Sequence, residues 1–532
     1  MTHGDFRPWI SVCLLVATLA YVGCTREPTE PAKKASSPAP TKGQPTAESA
    51  PPATSSKLIA NLGDPVGVLI ISGERNGYME PCGCSEDQSG GLIRLYDLAE
   101  RLHQQKLPTA FIDLGGLIKN PAGARGGFEQ TKIKLDFAIR ALALLKCNAL
   151  ALAAEDLKVG VGETLGLFFN SLGETSTKVV VANVEPAETY ASAFRKSVIA
   201  TSGPVKLGVT AVIDPATLDQ VIDPEREVLL PKVERPEDAL PKVLADLESR
   251  SDYQVLMVQG PPELARRLAG AYPGFDIVVS TSEFPDPLNH DPELLNGGKT
   301  MLVTVGQKGK NVGVFGFYQG GDQAPKYQLV TLNKRYDGPA AAMKKLIQDE
   351  YRETLKGAGV VENILRHDQA NAAPGSRFVG VDACKTCHPK TVEHWATTKH
   401  AVAFETLLKD PKPNTQYDAE CILCHTTGFE YNSGWVSAEK TPHLLGNQCE
   451  NCHGPASRHI ADPDNVELRK PMVLTAERAD KNRQCIQCHD EENSREFEFI
   501  GYESEIHHKG LDDYKDPKVH KPLILKNDAR GL

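Results

Sequence analysis

The sequence predicts a molecule of two folded parts, a layered α/β sandwich followed by a smaller, mainly α module. Two observations predict this arrangement. Between residues 58 and 333, short β-branched apolar runs alternate with longer amphipathic stretches, a pattern typical of sheets covered by helices. From residue 376 onward apolar runs are scarce, yet eight of the 13 cysteines lie there. Side chains alone would not build a conventional core from such a segment, so we expect a bound group to supply apolar mass.

The overall charge excludes one class of function. A formal net charge of −10 leaves no basic surface for nucleic acid, so we expect no nucleic-acid partner. Hydrophobic residues make up 40% of the chain and charged residues 24%, as in soluble globular proteins.

Residues 1–23 are predicted to be an export signal. Arg7 precedes an apolar stretch, residues 9–22, that is shorter than the roughly 20 residues a bilayer span needs. The stretch ends in Tyr21-Val-Gly-Cys24, which resembles the lipobox of bacterial lipoproteins, where the cysteine is lipidated and becomes the mature N-terminus. Tyr21 is atypical at its position, so two alternatives stay open: cleavage elsewhere, and Cys24 as part of an uncut apolar core.

Residues 24–57 are rich in Pro, Ala and Ser and contain almost no large apolar side chains, which predicts a flexible tether. Together with Cys24, this composition predicts an exported, periplasmic lipoprotein anchored to a membrane.

The elements of residues 58–333 follow from their periodicity. Predicted strands cover residues 66–71, 111–114, 179–184, 207–213, 255–258 and 277–279, and predicted helices cover 92–105, 131–147 and 236–249. Residues 300–305 and 312–317 flank Gly-Gln-Lys-Gly-Lys-Asn and predict a β-hairpin. Residues 334–375 predict a helical connector that ends in a polar hinge, and residues 376–532 form the second part.

Four C-x-x-C-H motifs lie in this second part. They are Cys384-Lys-Thr-Cys387-His388, Cys421-Ile-Leu-Cys424-His425, Cys449-Glu-Asn-Cys452-His453 and Cys485-Ile-Gln-Cys488-His489, named motifs 1 to 4 below. Each motif places two thiols one helical turn apart, where they can add to the two vinyl groups of a haem, while the histidine offers its imidazole to the iron. Zinc sites do not require a histidine after every second cysteine, and disulfide frameworks do not repeat one spacing four times. The motifs therefore predict four covalently bound haem c groups.

The sixth iron ligands are less well defined by spacing. The other histidines of this region are His367, His394, His400, His443, His459, His507, His508 and His520. If His394 and His400 share one helix, they lie about 240° apart around its axis and cannot both face one haem.

Five segments of residues 379–510 resemble the cytochrome c-554 family of multihaem cytochromes. They are Asp382-Ala-Cys-Lys-Thr-Cys-His-Pro389, Trp395-Ala-Thr-Thr-Lys-His-Ala401, Cys424-His-Thr-Thr-Gly-Phe429, Gln448-Cys-Glu-Asn-Cys-His-Gly-Pro455 and Phe497-Glu-Phe-Ile-Gly-Tyr-Glu-Ser-Glu-Ile-His-His508. The resemblance implies closely stacked haem pairs, mostly bis-histidine iron, and His400, His459 and His508 as distal ligands. It also implies one haem without a strong sixth ligand, leaves open which one, and leaves His507 as an alternative to His508.

Other segments of residues 66–333 resemble the metal-dependent domain of exported 5′-nucleotidases, a branch of the calcineurin-like metallophosphoesterases. They are Gly90-Gly-Leu-Ile-Arg94, Phe111-Ile-Asp-Leu-Gly-Gly116, Val181-Ala-Asn-Val184 and residues 298–313, which correspond to a late hairpin of the family. The metal ligands of the family are replaced by Glu74-Arg-Asn76, Gly115-Gly116 and Ala153-Ala-Glu-Asp156, and residues 259–261 and 280–283 contain no histidine. Two-metal hydrolysis needs a cage for two cations, so we expect a pseudoenzyme.

Pro81-Cys82-Gly-Cys84 follows the first predicted strand, on the side where α/β domains build their sites. Cys82 and Cys84 could form a redox-active disulfide, a soft-metal site or a structural bridge, and the sequence leaves these alternatives open. Cys147 lies in an apolar helix face and is interpreted as a small core residue, with pairing to Cys82 or Cys84 left open.

Three functions are compatible with these features. The leading hypothesis is electron transfer through the haems to redox partner proteins, with the α/β domain docking a partner or a ligand. The second is a haem oxidoreductase that acts on a small nitrogen, sulfur or oxygen compound at an under-coordinated haem. The third is a phosphoesterase with a metal site rebuilt from Glu74, Glu155, Asp156 and the cysteine pair.

Overall fold

The structure, a computed structural model, describes residues 58–82, 88–319, 323–370, 372–475, 477, 479, 484–490, 492–494, 497–498, 506–508 and 511–512. The predicted signal and tether, residues 1–57, lie outside the described residues. Residues Lys57–Leu532 form one compact unit. In the part of the chain that is described, no helix combines the length and apolar character needed to cross a membrane.

The strands, numbered in chain order, are β1 Gly67–Ser72, β2 Thr109–Asp113, β3 Ala149–Ala151, β4 Lys178–Val180, β5 Val184–Glu185, β6 Phe194–Arg195, β7 Ser197–Ser202, β8 Val205–Ile213, β9 Lys232–Val233, β10 Tyr253–Gln259, β11 Ile277–Ser280, β12 Glu293–Leu295, β13 Thr300–Val303, β14 Asn311–Phe317 and β15 Lys326–Thr331.

The α-helices are α1 Leu92–Gln104, α2 Gly127–Leu144, α3 Val161–Leu172, α4 Pro215–Leu218, α5 Arg226–Leu229, α6 Pro236–Glu248, α7 Pro262–Ala271, α8 Ala341–Lys344, α9 Tyr351–Ala358, α10 Val360–Asn363, α11 Pro389–Ala396, α12 Ala403–Lys409, α13 Ala419–His425, α14 Cys449–His453, α15 Ser457–Ala461 and α16 Val466–Arg469.

Two sheets stack face to face in the α/β part. The first has the order β15-β14-β1-β2-β3-β4-β6 and the second the order β12-β13-β11-β10-β8-β7. Alternate side chains of β1 point to opposite faces, so Leu69 and Ile71 join the core between the sheets, while Ile70 packs in the outer cluster with α1, α2 and α3. On the second sheet, Leu256 packs outward with α6 and α7. The α/β layered sandwich predicted from the sequence is confirmed.

The predicted hairpin of residues 300–305 and 312–317 is wrong. Strand β13 pairs with β11 and β12 in the second sheet, whereas β14 pairs with β1 and β15 in the first. Every residue of β14 is buried, because in the first sheet this strand lies between β1 and β15 and both of its faces are covered. The chain crosses between the sheets at Gly306, where a φ of 78° suits glycine and where a Cβ would collide with the Pro285 carbonyl.

The predicted connector packs into the α/β core. Met343, Ile347 and Leu355 are buried in the cluster that contains α1 and α2. The ring of Tyr351 meets the ring of Phe137 edge to face, with centroids 5.5 Å apart.

The second part has only a small apolar core of its own. Phe404, Phe429 and Trp435 form its centre, together with Leu407, Ile422 and Leu444. Short helices α11 to α16 carry or flank the cysteine motifs around this core.

Candidate functional site

Each C-x-x-C-H motif forms a single helical turn. Motif 2 ends α13 and motif 3 is α14. In motif 1 the amide of His388 donates to the Cys384 carbonyl at 2.9 Å. In motif 4 the amide of His489 donates to the Cys485 carbonyl at 2.8 Å. This i to i−4 bond places both cysteines of a motif on one side of the turn, as attachment to one haem requires.

Three of the four motif histidines have a protonation state that suits metal binding. Burial lowers the pKa of His425, His453 and His489, so these rings are neutral near pH 7. Their Nδ1 atoms, and that of His508, lie within hydrogen-bonding distance of oxygens: His425 with Ala403 O at 2.5 Å, His453 with Met472 O at 2.7 Å, His489 with Ser494 Oγ at 3.1 Å and His508 with Ile506 O at 2.9 Å. A hydrogen on Nδ1 leaves the Nε2 lone pair for a metal, which is the usual arrangement of ligating histidines.

Two of the three distal candidates lie beside a motif histidine. The ring centroids of His400 and His489 are 6.1 Å apart, and those of His508 and His453 are 5.8 Å apart. Two imidazoles on opposite sides of one iron would have centroids roughly 6 Å apart, given metal–nitrogen bonds of about 2 Å.

The third candidate, His459, lies within electrostatic range of the motif 1 histidine: burial and then the charge of His388 lower the pKa of His459. The structure thus shows two ring pairs, for motifs 3 and 4, and a looser association of His459 with motif 1.

His425 of motif 2 has no such neighbour. Its Nδ1 contacts Ala403 O and Thr406 Oγ1, and no histidine ring packs against it among the residues that the structure describes. The haem position of motif 2 is therefore the one that lacks a histidine on the opposite side within the described part of the chain.

The premise that His394 and His400 share a helix is wrong. Helix α11 ends at Ala396, where Thr397 and Thr398 turn back with side-chain bonds to the His394 and Trp395 carbonyls. His400 follows this turn, so it reaches His489 while His394 remains on α11.

The motifs themselves associate in two pairs. Cys384 of motif 1 lies next to Cys449 of motif 3. Cys424 of motif 2 lies next to Cys488 of motif 4.

A cavity of about 610 Å³ lies at motif 4. Its walls include Cys485, Cys488 and His489 on one side and His400 on another, with Phe378 and Phe497 supplying apolar surface. Two thiols, two facing imidazoles and apolar walls around one cavity fit a covalently attached haem.

Two residues that the sequence interpretation missed organise the module. Glu450, inside motif 3, is 2% exposed, and its carboxylate accepts from the amides of Val379, Gly380 and Ala456 at 2.8–3.1 Å. The neighbouring Asn451 accepts from the Gly428 amide at 3.0 Å. The only sequence signal for Glu450 and Asn451 was their position: they are polar residues between the two cysteines of motif 3, which must be buried.

Arg75, within the Glu74–Asn76 segment that the sequence resemblance predicts to replace metal ligands, forms a buried ion pair. Arg75 Nη2 lies 2.5 Å from Asp113 Oδ2 and 3.0 Å from Ser72 Oγ, and both charged side chains are buried. No group of three or more His, Cys, Asp or Glu side chains in the described residues is arranged to hold a metal ion. A buried cation paired with the Asp113 carboxylate does not fit a cage for two further cations.

The remaining carboxyls of this region are tied to the backbone. The Ser282 amide donates to Glu74 Oε2 at 2.7 Å, and burial raises the pKa of Glu74 to about 8. The amides of residues 116 to 118 donate to Asp156, whose pKa burial raises to about 7. Glu155 points to solvent and pairs with Lys158 at 2.6 Å.

The other predicted cysteines are placed as follows. Cys82 Sγ lies 3.1 Å from Asn493 Oδ1 and 3.0 Å from Gln88 Nε2, at the edge of the haem module. Cys147 is not in a helix face as predicted, because α2 ends at Leu144, but it is fully buried as a core residue and its Sγ lies 3.2 Å from the Ala149 carbonyl. Cys84 and Cys24 lie outside the described residues.

The cysteine-rich part of the chain is similar in sequence to known proteins. Residues 383–454 match the family model described as cytochrome c554 and c-prime. Cytochrome c-554 of Nitrosomonas europaea is 31% identical over 102 residues, which cover 17% of this chain and 43% of that protein. Multiheme cytochrome MtrA of Shewanella baltica is 30% identical over 80 residues, 14% of this chain and 23% of that protein. The chain thus spans less than half the length of either relative.

Solved structures similar to this chain include phosphoesterases. The 5′-nucleotidase precursor of Thermus thermophilus is 16% identical, with a TM-score of 0.45 over 59% of this chain and 62% of that one. The calcineurin-like phosphoesterase YfkN of Bacillus subtilis is 17% identical, with a TM-score of 0.41 over 55% of this chain and 98% of that one. No activity is carried across by this likeness. Residues 383–454, in contrast, are similar in sequence to the multihaem cytochromes of the c-554 family.

Proposed function

We propose that this chain is an exported electron-transfer protein that binds four haem c groups, one at each C-x-x-C-H motif. The observation that carries the proposal is the geometry of the imidazoles: two motif histidines each have a distal candidate beside them, with ring centroids 6.1 Å and 5.8 Å apart, and the third candidate, His459, lies within electrostatic range of His388. In this assignment His400, His459 and His508 are the distal ligands for motifs 4, 1 and 3.

Bound haem c would supply a reversible one-electron couple at each iron. The chain's own residues hold the ligands in place, since carbonyl or hydroxyl oxygens accept from the Nδ1 atoms of His425, His453 and His489. The proximity of Cys384 to Cys449 and of Cys424 to Cys488 places the four motifs in two close pairs. Close pairs of redox groups favour a relay over four isolated sites.

Haem oxidoreductase activity is the second candidate. It is favoured by one observation, that His425 has no histidine beside it among the described residues. A haem held there on one side only would be open to a small nitrogen, sulfur or oxygen compound on the other. We assign this open position to motif 2.

The α/β domain is proposed to be a pseudoenzyme, since Arg75 pairs with the Asp113 carboxylate in the region of the lost metals. Its role would be docking of a partner or ligand. Export, lipidation at Cys24 and a periplasmic location complete the proposal, and rest on the sequence of residues 1–57.

A haem count combined with spin-state spectroscopy tests the proposal. We expect four haems and four irons per chain, three low-spin bis-histidine signals, and one high-spin signal that changes on addition of carbon monoxide. Replacing both Cys421 and Cys424 with Ala should leave three haems and remove the high-spin signal. The matched control, Cys384→Ala with Cys387→Ala, should also leave three haems but retain that signal.

Iron near zero would overturn the haem proposal. Four low-spin haems without a response to carbon monoxide would leave electron transfer in place and overturn the oxidoreductase alternative.

A further inference from the structure

The α/β domain packs directly on the backbone of motif 4. Arg125, just before α2, donates from Nη2 to the carbonyl of Gln487, which lies between the two cysteines of that motif. The same nitrogen lies 3.4 Å from Asp490 Oδ2, one residue after His489. The Arg125 side chain is only 26% exposed, so its charge is poorly screened by water.

Two further cations of the α/β domain lie beside the segment that follows motif 4. Lys308 Nζ and Lys310 Nζ lie 2.7 Å and 2.8 Å from the same carboxylate oxygen of Glu492. Gln88 Nε2 donates to the Glu492 carbonyl at 2.7 Å.

The same domain also contacts motif 2. Gln130 is fully buried, donates to Asp418 Oδ1 at 2.7 Å and accepts from the Ala419 amide at 3.1 Å, at the start of the helix that carries motif 2. Lys134 Nζ lies 2.6 Å from Glu420 Oε2. Among the described residues these ion pairs surround motifs 2 and 4.

We propose that the α/β domain sets the reduction potentials of the haem pair at motifs 2 and 4. The positive charge of Arg125 contributes most, and it raises both reduction potentials above the values that the haems would have without it. This inference rests on the proposed function, because it requires haems at these motifs. One electron from an external one-electron donor converts ferric to ferrous iron, and no bond is made or broken. A fixed positive charge in a poorly solvated place favours the state with one more electron, so it raises the potential.

The carboxylate of Asp490 does not cancel this effect. The guanidinium is held on the Gln487 carbonyl inside the motif itself, whereas Asp490 lies outside it and is about one-third exposed. Removing the Arg125 charge would also leave Asp490 without its partner, and both changes lower the potential.

Spectroelectrochemical titration of the full, haem-loaded chain with Arg125→Gln tests the inference. At fixed solution potential we expect the high-spin haem and one low-spin haem to shift roughly tenfold toward the oxidised form, which is about 59 mV for a one-electron couple. The other two haems should not shift. Arg125→Lys keeps the charge and should restore most of the potential, whereas a purely structural role would not distinguish the two variants.

Arg140→Gln is the matched control, because Arg140, on α2, pairs with Glu350 at 2.6 Å and has no ion pair with the haem module among the described residues. It should leave all four potentials unchanged. Lys308→Gln provides a second variant if Arg125→Gln loads haem poorly, since Lys310 still holds Glu492. It should move the same two potentials in the same direction by less.

Unchanged potentials in Arg125→Gln and Lys308→Gln would overturn the inference, and so would an equal shift in Arg140→Gln. Fewer than four haems in the unmodified chain would instead count against the proposed function.

Discussion

Glu74 is the residue whose chemistry departs furthest from expectation. The sequence resemblance predicts that it replaces a metal-binding aspartate, yet burial raises its pKa from 4.5 to about 8, and the hydrogen bond from the Ser282 amide only partly offsets this. A carboxyl that is protonated in the folded protein at pH 6 and ionised in the unfolded chain binds more protons when folded. Its contribution to stability is therefore complete below about pH 4.5 and is lost as pH rises toward 8.

Glu74→Gln should remove this pH dependence. The free energy of unfolding in urea should be measured for both proteins at pH 5.5 and at pH 8.5. Relative to the parent, the variant should be more stable at pH 8.5 than at pH 5.5 by a few kcal/mol, since each unit of pKa shift is worth about 1.4 kcal/mol. Glu155→Gln is the control, because its exposed carboxylate stays hydrated in both states and its removal should act equally at both pH values. The same difference between parent and Glu74→Gln at both pH values would contradict the prediction.

Helix α13 shows how one element is fixed by contacts from another domain. Its first turn is capped by Asp418, whose Oδ1 accepts from the Glu420 amide at 2.9 Å. Gln130 then binds both Asp418 Oδ1 and the Ala419 amide from α2. A helix of seven residues has little stability of its own, so these long-range bonds determine where motif 2 lies.

Gln130→Leu should therefore destabilise the protein by about 1–3 kcal/mol, because it leaves the buried Ala419 amide without a partner. The free energy of unfolding in urea measures this. Gln104→Leu, the same change at an exposed position in α1, should alter stability by no more than about 0.5 kcal/mol. Equal effects of the two substitutions would show that the Gln130 bonds contribute nothing.

At the scale of the whole molecule, the α/β part packs against the part that carries the four motifs. Its cations Arg125, Lys134 and Lys308 pair with carboxylates that flank motifs 2 and 4. Arg75 and Asp113 form a buried ion pair within the α/β part. No group of three or more His, Cys, Asp or Glu side chains among the described residues is arranged to hold a metal ion, as two-metal chemistry would need.

The whole molecule should therefore lack phosphoesterase activity. Purified chain supplied with Mn²⁺ or Zn²⁺ should not hydrolyse nucleotides above the blank, and elemental analysis should find iron as its only stoichiometric metal. An active 5′-nucleotidase assayed in parallel is the control. Metal-dependent hydrolysis that survives removal of the haem irons would contradict the prediction.

Local patterns in the sequence determined the parts of this protein that depend on neighbouring residues. The alternation in β1 and the apolar face of α1 were readable because side-chain direction repeats every two residues in a strand and every 3.6 in a helix. Motifs 1 to 4 were readable for the same reason, since both thiols and the imidazole lie within one turn.

Only the tertiary structure decided what depends on residues far apart in the chain. It separated β13 from β14, because pairing with β1 covers β14 on both sides. It placed His400 beside His489 and left His425 without a histidine neighbour among the described residues, and it brought Arg125 onto motif 4. The spacing of residues in the sequence does not predict such contacts, because each arises from the packing of elements hundreds of residues apart or from a turn that ends a helix early. The sequence by itself therefore predicted haem c at the four motifs, whereas the tertiary structure decided which motifs lie close together, which motif histidine lacks a histidine neighbour among the described residues, and which charged side chains lie near motifs 2 and 4.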